Sequence, residues 1–457
     1  MQVKQVDQLR SRFRGRIIQP GDGDYEAARK VYNGMIDKRP RLIAQCADVA
    51  DVMAAVNFGR KHGMLTAIRG GGHSAGGLGI CHDGLVVDLS PMKGVRVDPS
   101  ARTVRVEGGC VWADVDHATH AFGMATPGGT IASTGVAGLT LGGGIGHLTR
   151  THGLTIDNLL GVDMVLADGS FVTADAEENS DLFWAVRGGG GNFGVVTSFL
   201  FRMHPVTTVI AGPTFWPIEQ APEVMKAYRE FITRAPQTVT GFFAFLTVPS
   251  VPLFPQELHG RIMCAVVWCS TASPEETERM TKPMRSVGKP VLDQVGPIPF
   301  PVFQSLFDPL YPPGLQACWR ADFVKELSDA TIARHLEHAS KLPTPLSTAH
   351  LYPIDGAVHG VGKADTPFSY RDANWALVIL GVDPNPANRE KITTWCKDYF
   401  DAVHPYSAGG AYINFMMEEG QERVRAAFCE NYDRLAAIKK KHDPANFFRV
   451  NQNIRPA

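Results

Sequence analysis

Apolar and polar positions fall into two rhythms along the chain. Residues 41–44, 64–68, 85–89 and 103–106 are short apolar runs that read as strands, the last with Val104 and Val106 in period-two alternation. Residues 47–62 space Val49, Val52, Met53, Val56 and Phe58 as a helix face does, and 111–122 reads as a second helix closed by Gly123. Farther along, 242–248, 260–268 and 375–382 are strand-like, while 222–233 and 388–402 carry helical spacing. Strands and helices that do not strictly alternate in this second stretch predict an α+β fold with an antiparallel sheet. Residues 421–440 predict one continuous helix, after which a polar, Asn-rich end is expected to return to the first part of the chain.

At 457 residues the chain exceeds what one hydrophobic core usually serves, so two domains are expected. A formal net charge of −1 gives no electrostatic case for nucleic acid or a membrane surface as partner. No apolar run approaches the roughly 20 residues of a membrane span. Residues 1–18 are polar and Arg-rich, without the apolar stretch of a secretory signal, so a cytoplasmic location is expected. The cysteines are scattered, without a CxxC pair or a histidine at metal-ligand spacing. They read as separate reduced thiols, mostly buried, and no metal site is expected.

Glycine placement changes the picture. Glycines concentrate between Gly70 and Gly194, whereas prolines gather in residues 249–313, which suggests a ligand-cradling first domain and a differently built second one. Arg69-Gly70-Gly71-Gly72-His73-Ser74 follows a strand directly. Consecutive glycines let backbone N–H groups converge on a phosphate, yet this loop is neither a P-loop nor a dinucleotide-type helix opening. Three more clusters follow: Thr126-Pro127-Gly128-Gly129-Thr130 with Ser133-Thr134-Gly135-Val136-Ala137-Gly138, then Gly142-Gly143-Gly144-Ile145-Gly146, then Gly188-Gly189-Gly190-Gly191-Asn192-Phe193-Gly194-Val195-Val196. Each unpacked glycine costs on the order of 0.5–1 kcal/mol in backbone entropy, so the clustering points to backbone laid against a large ligand. A long, thin cofactor containing a polyphosphate fits.

These motifs, in order and spacing, resemble the berberine-bridge-enzyme-like branch of the vanillyl-alcohol-oxidase superfamily, whose flavin-binding domain is of the PCMH type. Gly153-Leu154-Thr155-Ile156-Asp157-Asn158, the run Ala411-Tyr412-Ile413-Asn414-Phe415 and the ending Asp443-Pro444-Ala445-Asn446 to Asn451-Gln452-Asn453-Ile454 are part of the same resemblance. It implies a split FAD-binding domain, residues 1–205 and 410–457, around a substrate domain of residues 206–409. It also implies hydride transfer from a small-molecule substrate to flavin N5, with His73 joined to the flavin's 8α methyl. The cofactor-binding set carried over comprises Arg69, Gly70, Gly71, Gly72, His73 and Ser74 in the first loop, and Gly128, Gly129, Thr130, Ser133, Thr134, Gly135 and Gly138 in the second. Gly142, Gly143, Gly144, Gly146 and His147 extend it, followed by Asn158, Gly194, Val196, Tyr412, Asn414, Asn451 and Asn453. His62, His82 and His152 read as structural or surface histidines.

Three positions depart from the family pattern. A second flavin link through a cysteine thioether would fall at about Ile131, which cannot form it, and Cys110 lies well upstream and reads as a packed residue. One covalent bond is expected. Phe415 stands where several relatives have a tyrosine that takes the substrate's hydroxyl proton, and Ala75 is smaller than its counterparts. In an extended 411–415 segment, Ala411, Ile413 and Phe415 would share the face toward the substrate. The proton acceptor would then be another residue, Tyr370 or His359, or the substrate would be an amine that needs none; the amine route is the expectation. Trp319, Arg320, His359, Tyr370 and Trp375 are candidates for lining the pocket. The activity expected is an FAD oxidase of an amine or secondary alcohol that reduces molecular oxygen to hydrogen peroxide. The alternatives are a dehydrogenase using another acceptor, or a flavin-binding protein without turnover.

Overall fold

Strands Leu42–Gln45, Leu85–Asp88 and Thr66–Arg69 lie parallel, with Arg16–Ile18 antiparallel on the outer edge, in a computed structural model that describes residues 3–252 and 254–457. The crossover helix Val49–Lys61 opens at Asp48, whose carboxylate accepts the Asp51 amide. Its buried Val52, Ala55 and Val56 pack with Leu42, Leu85 and Val87, which fixes the end of Thr66–Arg69 where the first glycine loop departs.

An antiparallel five-stranded sheet follows in the order Val95–Asp98, Thr103–Glu107, Val195–Arg202, Leu159–Val165, Phe171–Asp175. The chain's last helices close on this layer: Val424, Leu435, Ala436 and Ile438 share one core with Leu182, Trp184, Phe193 and Phe199. The closure is tied by a buried cation. Lys439 Nζ bonds the Asp443 carboxylate at 2.6 Å and the carbonyls of Asn192 and Phe448.

The largest sheet is wholly antiparallel. It runs Leu292–Asp293, Thr208–Pro217, Ile262–Ser270, Val239–Thr247, Thr348–Pro353, Trp375–Asp383, Gln316–Val324, with Gly296–Pro299 also paired to Thr208–Pro217. Period-two alternation divides its side chains. Phe243, Phe245, Val266, Trp268, Leu351, Leu377 and Ile379 face one way and pack on helices Ala221–Ile232, Asp329–Ala339 and Arg389–Val403. Their in-between neighbours face the other way, into a cavity. The α+β class read from the sequence is the architecture found.

The single helix expected over 421–440 is two helices, Gln421–Phe428 and Tyr432–His442. Cys429 breaks it with φ of 45°, and a short 3-10 turn spans Cys429–Asn431. The break is held from outside the helix, because Asn431 Nδ2 donates to the carbonyls of Lys363 and Thr366. Among the described residues, no helix is long and apolar enough to cross a membrane.

Candidate active site

A cavity of about 600 Å³ separates the glycine loops from the open face of the largest sheet. Its loop side is held by ion pairing and close backbone contact. Arg69 Nη2 meets Asp88 Oδ2 at 2.7 Å, both side chains buried, across the register of their parallel strands. A Cβ on Gly71 would lie 2.5 Å from the Gly135 Cα, so the first two glycine loops touch through bare backbone. Gly138 and Gly191 also line the cavity, and a Cβ on either would project into open space. That is a cradle sized for another molecule's atoms rather than for side chains.

His73 hangs over this cradle. The Tyr32 ring stacks on it, and Ser133 Oγ lies 3.4 Å from its Nε2. Burial pushes the imidazole's pKa down to about 4, so its ring is neutral at ordinary pH and keeps a nucleophilic lone pair. Ile131, at the position of the absent thioether, lines the cavity. Cys110 does not; its thiol contacts the Gly94 carbonyl inside the core.

The C-terminal run completes the cradle. Tyr412 Oη accepts the Gly144 amide at 2.9 Å and Asn414 Nδ2 at 2.7 Å, while Asn414 Nδ2 also reaches the Leu139 carbonyl. Asn451 Nδ2 donates to the Gly191 carbonyl, and its Oδ1 is buried without a protein partner beside the cavity. The segment is not extended as expected. Ile413–Phe415 is a 3-10 turn closed by the Phe415 amide on the Tyr412 carbonyl. As a result Tyr412, Ile413, Asn414 and Phe415 all reach the cavity instead of alternating.

The opposite wall is the sheet face. Phe242, Ala244 and Leu246, then Ala265 and Val267, then Val378, Leu380 and Val382 are successive alternate residues of their strands. Leu306, Phe307 and Tyr311 close one end, and Trp319 and Tyr352 stand within 6 Å of the Phe415 ring, centroids 5.8 Å away in each case. Among the described residues Arg69 is the only charged side chain in the lining. The polar groups on the sheet side form one chain: Thr348 Oγ1 to the Phe245 carbonyl at 2.6 Å, Thr348 Oγ1 to His350 Nε2 at 2.8 Å, and His350 Nδ1 to Tyr352 Oη at 2.8 Å.

Of the residues singled out from the sequence, Gly70, Gly72, Ser74, Gly129, Thr130, Thr134, Gly194 and Val196 line the cavity along with those described above. Gly128, Gly142, Gly143, Gly144 and Gly146 stand one layer back. Gly128 lies under the Trp112 ring, Gly142 against Asn414, Gly143 against Phe368, and Gly146 against the Gly128 carbonyl. His147 is buried beside Phe303, with burial lowering its pKa to about 3, and does not reach the cavity. Asn158 is likewise structural, bonding the carbonyls of His152 and Leu154 and the His204 ring. Asn453 is outside the lining, its carbonyl held by Gln421.

The candidates from the middle of the chain fare worse. Tyr370 stacks on Phe323 and donates to the Ala426 carbonyl, and His359 bonds the Ala373 carbonyl, so neither expected base is at the cavity. Trp375 points to the helix-covered face, and Arg320, next to the cavity-facing Trp319, turns back on its neighbour's carbonyl. Strand parity decides both: one residue's shift changes the face. Sequence reasoning missed Tyr32, His350 and Tyr352. The last two had a signal, since Thr348, His350 and Tyr352 alternate along one strand; Tyr32 sits in no local motif.

A bare-backbone cradle, an unpartnered buried Asn451 oxygen and a neutral histidine fit a flat, polyphosphate-bearing cofactor, and so define a flavin-binding class of fold. Residues 40–175 match the family described as "FAD binding domain", and 411–455 match "Berberine and berberine like". An FAD-linked oxidoreductase of Dictyostelium discoideum is 32% identical over 99% of this chain and 97% of its own. The (R)-6-hydroxynicotine oxidase of Paenarthrobacter nicotinovorans is 28% identical over 97% of each. The crystal structure of 6-hydroxy-D-nicotine oxidase from Arthrobacter nicotinovorans shares the fold, with a TM-score of 0.87 at 24% identity, covering 97% of this chain and 98% of that one. The chain belongs to the berberine-bridge-enzyme-like family of FAD-linked oxidoreductases.

Proposed function

We propose that the protein oxidises a small organic molecule, an amine or a secondary alcohol, with FAD held through a single covalent bond from His73 and molecular oxygen reduced to hydrogen peroxide. The observation that carries this reading is that one cavity joins the glycine cradle and His73 to an apolar sheet face. Bound FAD supplies a two-electron acceptor. Arg69, with the backbone of Gly70–72, Gly135, Gly138 and Gly191, would hold it, while Tyr32 and Ser133 orient the His73 ring and leave Nδ1 for the bond. Ile131 offers no sulfur for a second link. The sheet residues Phe242 and Val378, with Phe415, position the substrate and exclude water, which strengthens every remaining polar contact. The oxidase named among the relatives supports the choice of oxygen.

Purified protein denatured in acid should leave a yellow pellet that fluoresces under ultraviolet light, because a flavin linked only at its 8α position stays fluorescent. Peroxide release during turnover tests the acceptor. Reoxidation of the reduced protein by oxygen at rates orders of magnitude below turnover with an artificial acceptor would identify a dehydrogenase instead.

A further inference from the structure

We infer that Tyr352, backed by His350 and Thr348, takes the hydroxyl proton of a neutral, largely aromatic secondary alcohol in this cavity. The inference rests on the hydride transfer proposed above and names both the substrate class and the proton acceptor.

The direction of the chain of hydrogen bonds is fixed by its far end. The Thr348 hydroxyl sits 2.6 Å from the Phe245 carbonyl, which can only accept, so the Thr348 proton is committed there. Thr348 Oγ1 can then only accept from His350 Nε2–H, which leaves Nδ1 as the bare nitrogen and makes the Tyr352 phenol its donor. The phenol proton points at His350, and the phenol oxygen keeps a lone pair for a ligand. Among the described residues the other cavity tyrosines, Tyr32, Tyr311 and Tyr412, have no hydrogen bond from the hydroxyl to a histidine. Tyr412 Oη already accepts from Gly144 and Asn414, and the Tyr32 hydroxyl is spent on the Tyr311 carbonyl.

The surroundings keep the relay neutral until the step. His350 lies in register between Ala244 and Val378, with the Phe242 ring 5.3 Å away, and burial keeps it neutral by lowering its pKa to about 3. Burial pushes the Tyr352 phenol up, offset in part by a hydrogen bond with Thr130 of the second glycine loop. Tyr352 therefore bridges the substrate wall and the cofactor cradle, next to Phe415. In the step, the substrate O–H bond breaks as its proton passes to Tyr352 Oη and the phenol's own proton passes to His350 Nδ1, driven by the far greater acidity the hydroxyl acquires as hydride leaves its carbon. The C–H bond breaks with both electrons, the hydrogen leaves as hydride to the flavin, and a C=O bond forms.

The lining selects the class. Among the described residues it contains no carboxylate, so an alkylammonium would be buried without a counterion. A polyhydroxylated molecule would leave most hydroxyls unpaired against Phe242, Phe307, Leu380 and Trp319. One hydroxyl on an aromatic body matches a single polar chain in an aromatic wall.

The test is anaerobic flavin bleaching by matched panels of aryl secondary alcohols and aryl amines, using wild type and Tyr352→Phe, which keeps the ring. We expect alcohols to bleach the wild type, and the variant's limiting rate to fall at least 100-fold with Kd changed less than threefold, the range of a positioned acid–base group. The substrate-free readout is the ¹⁵N spectrum of histidine-labelled protein, identified by His350→Gln: the Nδ1 resonance of an Nε2–H tautomer should move in Tyr352→Phe. A smaller loss of rate, bleaching by amines alone, or an unmoved resonance overturns the inference and leaves the hydride-transfer reading standing. Failure of both panels to bleach the wild type overturns that reading together with the inference.

Discussion

Tyr32 lies flat on His73, ring centroids 3.8 Å apart and planes 22° from parallel. The Tyr32 hydroxyl is anchored on the Tyr311 carbonyl, and the preceding Asp308 carboxylate accepts the Ala132 amide at 2.9 Å. The segment after the 300–304 helix thus reaches across to brace the loop that faces His73. Orientation of the imidazole is built from two distant parts of the chain.

His73→Ala should release the flavin into the supernatant after acid precipitation, whereas Cys110→Ala should leave the fluorescent pellet unchanged. Tyr32→Leu should keep the attachment but slow it roughly 2- to 10-fold, the worth of one aromatic stack. The rate at which apoprotein gains acid-stable fluorescence with added FAD measures this. Mass spectrometry placing FAD on Cys110 would contradict it.

Gly71→Ala should lose flavin rather than fold. The new methyl would lie 2.5 Å from the Gly135 Cα, with no flexible side chain there to yield. The expected result is soluble protein whose flavin-to-protein absorbance ratio falls severalfold. Full occupancy in this variant would refute the touching-loop geometry.

Stability should decline on the acid side of neutrality. Burial lowers the pKa of His147, His335 and His350 from the usual 6.5 to about 3, and of His152 to about 4. The folded state resists protons that the unfolded chain accepts below about 6.5, so stability is full above that value. It is lost as pH falls toward 4, at up to about 1.4 kcal/mol per unit for each such histidine. Urea midpoints at about pH 7.5 and about pH 5 check the sign; a higher midpoint in acid would be inconsistent with neutral buried rings.

Tyr370→Phe should cost about 0.5–1.5 kcal/mol of stability, the value of its bond to Ala426, and leave kcat unchanged. Phe415→Leu should keep kcat/KM within roughly tenfold, a packing change of about 1.4 kcal/mol, because Phe415 contributes a surface and no proton acceptor. Steady-state kinetics beside thermal unfolding separates the two effects.

The sequence by itself determined the cofactor half. Gly71, Gly135 and Gly138 act through bare backbone at positions set by contiguous loops, so local spacing was enough to show a cradle, and His73 follows its glycines directly. Strand and helix rhythms gave the α+β class for the same reason, as period is a local property. Only the tertiary structure decided the substrate half. Ala244 pairs with His350 and His350 with Val378, so the wall is made by side chains whose neighbours come from distant strands. Register put Tyr352 and His350 in the cavity and turned Trp375 away; stacking and the Ala426 carbonyl took Tyr370 out of reach. The break at Cys429 was equally invisible along the chain, because Asn431 holds it through carbonyls of Lys363 and Thr366, more than 60 residues earlier. Backbone cradles are written in consecutive residues, whereas a face shared by several strands exists only once their register is set.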